Sequence, residues 1–95
     1  MFVHWTHFTK PYGINTCLSF AKDAMTRQGY KMIDDASDGD YVVIGSNDNV
    51  IAHAVCVPEG AGCWVGVSVY STDSNAALVA RNKIREQIER TVLID

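Results

Sequence analysis

Between Tyr41 and Ser71 the apolar residues either run together or alternate with polar ones, and this stretch predicts three consecutive β-strands. Tyr41-Val42-Val43-Ile44 and Val50-Ile51-Ala52-His53-Ala54-Val55-Cys56-Val57 are rich in β-branched residues and bracket the turn-prone Gly45-Ser46-Asn47-Asp48-Asn49. That is a hairpin signal. Pro58-Glu59-Gly60-Ala61-Gly62 then turns the chain into Cys63 to Tyr70, where Val65, Val67 and Val69 alternate with Trp64, Gly66, Ser68 and Tyr70. A period of two defines a pleated strand with two distinct faces.

Loop lengths suggest the register. A five-residue loop at 58–62 places Val57 opposite Cys63, Val55 opposite Val65, His53 opposite Val67 and Ile51 opposite Val69. A two-residue loop at Asn47-Asp48 places Ile44 opposite Ile51 and Val42 opposite His53. One side of the meander then carries Val42, Ile44, Ile51, Val55, Val57, Val65, Val67 and Val69, the aliphatic side that helices are expected to cover. The reverse side carries Tyr41, Val43, Val50, Ala52, Ala54, Cys56, Trp64, Gly66, Ser68 and Tyr70, a shallow trough with Ala54 opposite Gly66, Ala52 opposite Ser68 and aromatic walls. A slip of one residue in either hairpin moves a whole strand to the other face.

Ahead of the meander, Phe2 to Thr9 reads as a first strand ended by Lys10-Pro11-Tyr12-Gly13. A helix follows, capped at Asn15 or Thr16 and running to about Gln28, with Gly29 as its C-cap and Cys17, Leu18, Ala21, Ala24 and Met25 as its apolar stripe. Tyr30 to Ile33 and the acidic Asp34 to Asp40 read as connection. Thr72-Asp73-Ser74-Asn75 caps a second helix from Ala76 to about Arg90, whose Ala76 or Ala77, Ala80, Ile84 and Ile88 face inward. Val92 to Ile94 either extends it or forms a terminal strand. The order β-α-β-β-β-α predicts one α+β domain over residues 1–95, a two-layer sandwich of about four antiparallel strands with two helices on one face. A ferredoxin-like plait is the competing arrangement, and neither licenses a function by itself.

Composition changes this picture only at its edges. A 95-residue chain with 47% hydrophobic and 20% charged residues holds one core and has apolar surface to hide. The net charge of -3 argues against a nucleic-acid binder, since phosphate contacts need clustered Lys and Arg. Neither a signal-peptide pattern nor a transmembrane stretch is present, and three cysteines are an odd number, so a cytoplasmic protein with reduced thiols and no membrane contact is expected.

Candidate chemistry is sparse. His4 and His7 lie three apart on a strand and point to opposite faces, as do His53 and Cys56, so no metal site is expected, and no cofactor. Cys56 is the best candidate nucleophile and His53 the best candidate base, with Asp38 or Asp40 to orient it, yet a strand cysteine more often behaves as a small hydrophobe and a lone strand histidine as a core residue. The acidic run 34–40 lacks calcium-loop spacing, and Gly60 and Gly62 precede a strand rather than a helix.

The trough is the least ordinary feature. Tyr41, Trp64 and Tyr70 with Ala52, Ala54, Gly66 and Ser68 predict a binding or dimer face, and the expected function is a non-enzymatic homodimeric binding or assembly module. The alternative is a small enzyme or small-molecule carrier using Cys56 and a histidine in the same trough.

Overall fold

The computed structural model describes residues 1–35 and 41–91, with side chains as far as Ile33 and from Tyr41 on. Seven elements follow one another: β1 (Phe2–Lys10), α1 (Ile14–Arg27), β2 (Lys31–Asp35), β3 (Val42–Asn47), β4 (Val50–Glu59), β5 (Gly62–Ser71) and α2 (Ser74–Arg90). The strands form one antiparallel sheet in the order β1-β5-β4-β3-β2, which confirms the α+β class. Five strands replace the four expected, because Lys31 to Asp35 pairs with β3 instead of forming a connection. This short segment is irregular where the register shifts between Met32 and Asp34, which hides its alternation from a reading of the sequence. The remainder of the acidic connection and Val92 to Ile94 lie outside the described residues.

Both helices pack on one face, α1 mainly over β2, β3 and β4, and α2 over β1 and β5. The buried stripe of α1 is Cys17, Leu18, Phe20, Ala21, Ala24 and Met25, and that of α2 is Ala77, Ala80, Ile84 and Ile88. At α2 the cap falls inside the expected Thr72–Asn75 stretch, at Asp73, whose carboxylate accepts from the backbone N–H groups of Asn75 and Ala76, but the helix begins at Ser74, two residues earlier than expected. At α1 the helix begins earlier than Asn15 and has no side-chain cap, with Gly13 at its extended N-cap.

The register of the meander departs from expectation by one residue, and the consequence is large. Glu59 pairs with Gly62, so the connection is only Gly60-Ala61, with Gly60 at φ +59°, a conformation glycine adopts freely. Val57 therefore faces Trp64, and Pro58 faces Cys63. Pro58 is tolerated inside β4 because β3 begins at Val42, opposite Val55, and its described pairing does not reach Pro58. Among the described residues the last bond on that side is Cys56 N–H to Tyr41 O at 2.9 Å, and Pro58 supplies the next nitrogen in line. Asn47 pairs with Val50 around Asp48-Asn49, which shifts Ile44 to His53 and Val42 to Val55 without changing faces.

The side beneath the helices thus combines Val65, Val67 and Val69, as expected, with Val43, Val50, Ala52, Ala54 and Cys56, which were expected on the other side. Val42, Ile44, Ile51, Val55 and Val57 lie on the uncovered side with Trp64, Gly66, Ser68 and Tyr70. Residue size explains the choice. Helices presenting Ala21, Ala24, Ala77 and Ala80 approach the sheet closely, so small Ala52, Ala54 and Gly45 fit beneath them. A Cβ on Gly45 would stand 2.8 Å from Met32 Cε and 3.1 Å from Tyr30 Cβ.

Two long-range ties lock α1 and α2 to the sheet. Cys17 on α1 is bonded to Cys63 on β5, 46 residues away in sequence. This overturns the expectation that the thiols are all reduced. It also removes that argument for a cytoplasmic location, since disulfides persist in oxidising surroundings. On β1 the buried Lys10 ammonium donates to Glu89 O at 3.0 Å and Thr91 O at 2.8 Å, closing the C-terminal end of α2 where orphan carbonyls need donors. The same ammonium lies 5.5 Å from the ring centres of Tyr12 and Phe20. Burial pushes it below the ordinary lysine range, with Glu89 pulling it back up.

Candidate functional site

Among the described residues nothing covers the second face of the sheet, and alternation along each strand determines which side chains stand on it. From β1 come Val3, Trp5, His7 and Thr9, which pair across with Tyr70, Ser68, Gly66 and Trp64 of β5. From β4 come Ile51, His53, Val55 and Val57, and from β3 Val42, Ile44 and Ser46. Trp5 is 60% exposed, Val3 51%, Val57 43% and Ile51 41%, which is far above the burial of the opposite side.

The rings on this face are ordered against one another. His7 stacks between Trp5 and Trp64, with ring centres 5.6 and 5.7 Å apart and planes inclined by 21° and 24°. Gly66 makes this arrangement fit. A Cβ there would stand 2.7 Å from Trp64 Cη2, so the indole lies down over the glycine and reaches the imidazole of the neighbouring strand. The result is a three-ring platform crossing β1 and β5, held on backbone that is hydrogen-bonded along both strands.

Of the residues expected on the binding face, Trp64, Gly66, Ser68 and Tyr70 are on it, and Tyr41 is exposed just ahead of β3. Ala52 and Ala54 are not. Both are fully buried beneath the helices, because the tighter turn at Gly60-Ala61 turns β4 over relative to β5. Trp5 and His7 were missed, since β1 alternates too weakly to show its faces. No local signal corrects this: a lysine ordinarily marks a solvent-facing position, whereas Lys10 turns inward to clamp the end of α2 and so sets the parity of the strand through tertiary contacts.

Cys56 and His53 are separated. Cys56 is buried beneath the helices and opposes Val65, while His53 stands on the bare face between Ile44 and Ser68. Asp38 and Asp40, the expected orienters, lie outside the described residues. Burial pushes the Cys56 thiol up to about 11, the opposite of an activated nucleophile. Native Cys56 is therefore expected to alkylate with iodoacetamide at pH 8 at least about tenfold more slowly than in urea with the bridge intact. Equal rates would restore it as a reactive group. Because the folded thiol holds its proton past the ordinary value of 9.0, its share of stability is present below that pH and is lost as pH rises through about 11.

His4 is on the helix side and bonds Ser74 Oγ at 3.1 Å, away from His7. Among the described residues no three His, Cys, Asp or Glu side chains converge as metal ligands would. Among them also, no helix is long and apolar enough to cross a membrane.

What fold and site together define is a class by architecture: a disulfide-tied, two-layer α+β domain with an ordered aromatic platform on its bare sheet face. No family model matches the chain, and no curated protein does either.

Proposed function

We propose that this chain is a non-enzymatic assembly module whose uncovered sheet face pairs with a second copy of itself. The observation that carries the reading is the Trp5-His7-Trp64 stack standing on an almost uncharged face. Among the residues whose side chains are described, the fixed charges of this face lie at its margins, Glu59 at the end of β4 and Lys31 on the edge strand β2, so self-pairing over its centre desolvates little charge. Its size also suits a second copy. The five strands taken together, at about 3.3 Å per residue and spaced about 4.8 Å, give a footprint of roughly 600 Å² per protomer. Two such faces bury roughly 1,200 Å², the lower end of specific interfaces, and more once side-chain relief is counted. Trp5, Trp64 and Tyr70 are the anchors.

Sedimentation equilibrium tests the reading. Wild type is expected to be dimeric at micromolar concentration, and the Trp5→Ala, Trp64→Ala double variant is expected to fold and to dissociate at least about a hundredfold more readily. A wild type that stays monomeric at millimolar concentration ends the proposal. The platform would also stack planar ligands, but its rings stand on an open sheet face instead of inside an enclosing cleft, which favours a second copy over a small-molecule carrier.

A further inference from the structure

On the helix side, far from the platform, a cleft of about 440 Å³ opens between the two helices at the β3–β4 turn. One wall is the α2 row Asn75, Val79 and Lys83, one turn apart and spanning roughly 12 Å at 1.5 Å per residue. The other wall is Gln28 and Asn47, drawn together by Asn47 Nδ2 donating to Gln28 O at 3.5 Å. Gln28 Nε2 in turn donates to Lys83 O at 3.0 Å and ties that wall to α2. The floor is apolar, made by the ring of Tyr30 with Val50 and Ala80, all nearly buried, while Val79 at the rim is 42% exposed.

The lining of this cleft carries a cation and no anion, although Glu86 stands one turn beyond Lys83 on the neighbouring surface. The chain has a net charge of -3, yet no Asp or Glu lines the cleft and one lysine does. Among the described residues no carboxylate pairs with the Lys83 ammonium. Burial pushes the Tyr30 phenol up, which keeps its O–H a donor. An apolar floor, amide walls and a single cation at one end match one ligand chemistry: an anionic head on a short apolar body.

We propose that this cleft binds a small organic monocarboxylate, its carboxylate at Lys83 and its carbon chain along Val79, Val50 and Ala80. The proposal is independent of pairing through the bare sheet face, and the monomeric Val55→Glu variant discussed below allows it to be tested alone.

Nitrogen-15 NMR titration of the full chain with hexanoate, and with hexanamide as the uncharged isostere, supplies the test. Hexanoate is expected to shift the amide signals of Tyr30, Val50, Val79 and Ala80 saturably and to bind about fivefold more tightly than hexanamide, as one partly exposed charge-assisted contact allows. Lys83→Gln, an exposed change, is expected to erase that fivefold preference and leave hexanamide binding unchanged. Val79→Trp, which fills the cleft, is expected to abolish both. Absence of saturable hexanoate shifts, equal binding of the two probes, or full preference retained in Lys83→Gln would overturn the proposal.

Discussion

Ala54→Glu is expected to unfold the chain, whereas Val55→Glu, one residue further on, is expected to leave it folded and monomeric. Ala54 is fully buried under the helices and pairs with Val67, so a carboxylate there has no room and no cation to meet. Burying an unpaired charge while overpacking a closed site costs on the order of 5 kcal/mol or more, comparable with the whole stability of a small domain. Val55 sits half-buried on the bare face opposite Gly66, beside the ring platform. There a glutamate stays hydrated and costs about 1 kcal/mol or less. In a two-fold pair, however, it brings one carboxylate from each copy into a nearly uncharged contact, and dissociation should rise at least about a hundredfold. Circular dichroism and sedimentation read both outcomes. The opposite pattern, with Ala54→Glu folded and Val55→Glu unfolded, would show that β4 presents its other face and would take the proposed contact surface with it.

Opening the Cys17–Cys63 bridge is expected to cost about 4 kcal/mol, from the chain entropy released by a loop of 46 residues. At roughly 4–8 °C per kcal/mol for a domain of this size, the melting temperature should fall by about 15 °C or more. The comparison is cleanest on a Cys56→Ala background, which leaves the two bridging cysteines alone, with and without reductant. The effect is large because the bond joins α1 to β5 across the core, at the strand to which β1 and its platform residues are paired. Superimposable melts would mean that the bond adds nothing to stability. Because the platform lies on the far side of β5, partial loosening after reduction should weaken dimer formation as well as stability.

Much of this protein was written in local patterns. The 3.6-residue stripes of both helices, the Asp73 cap, the alternation of Val65, Val67 and Val69, and the opposition of His53 to Cys56 all follow from backbone periodicity, which a residue carries wherever it is placed. That also separated His4 from His7 and placed Trp64 and Tyr70 together on one face of their strand. What periodicity cannot state is which face a strand turns inward, because that depends on how its neighbour is registered against it.

Tertiary structure decided those matters. The two-residue turn at Gly60-Ala61 turned β4 over relative to β5, and alanines on the helices made it favourable to bury Ala52 and Ala54 while leaving Ile51, Val55 and Val57 outside. Pairing with β3 made a strand of Lys31 to Asp35, and the fold brought Cys17 to Cys63, a partner no spacing in the chain distinguishes from Cys56. The Trp5-His7-Trp64 platform likewise exists only because β1, first in the chain, pairs with β5, the last of the described strands. Composition and periodicity act over a few residues, whereas register, bridging and shared faces are set by contacts between segments far apart in sequence.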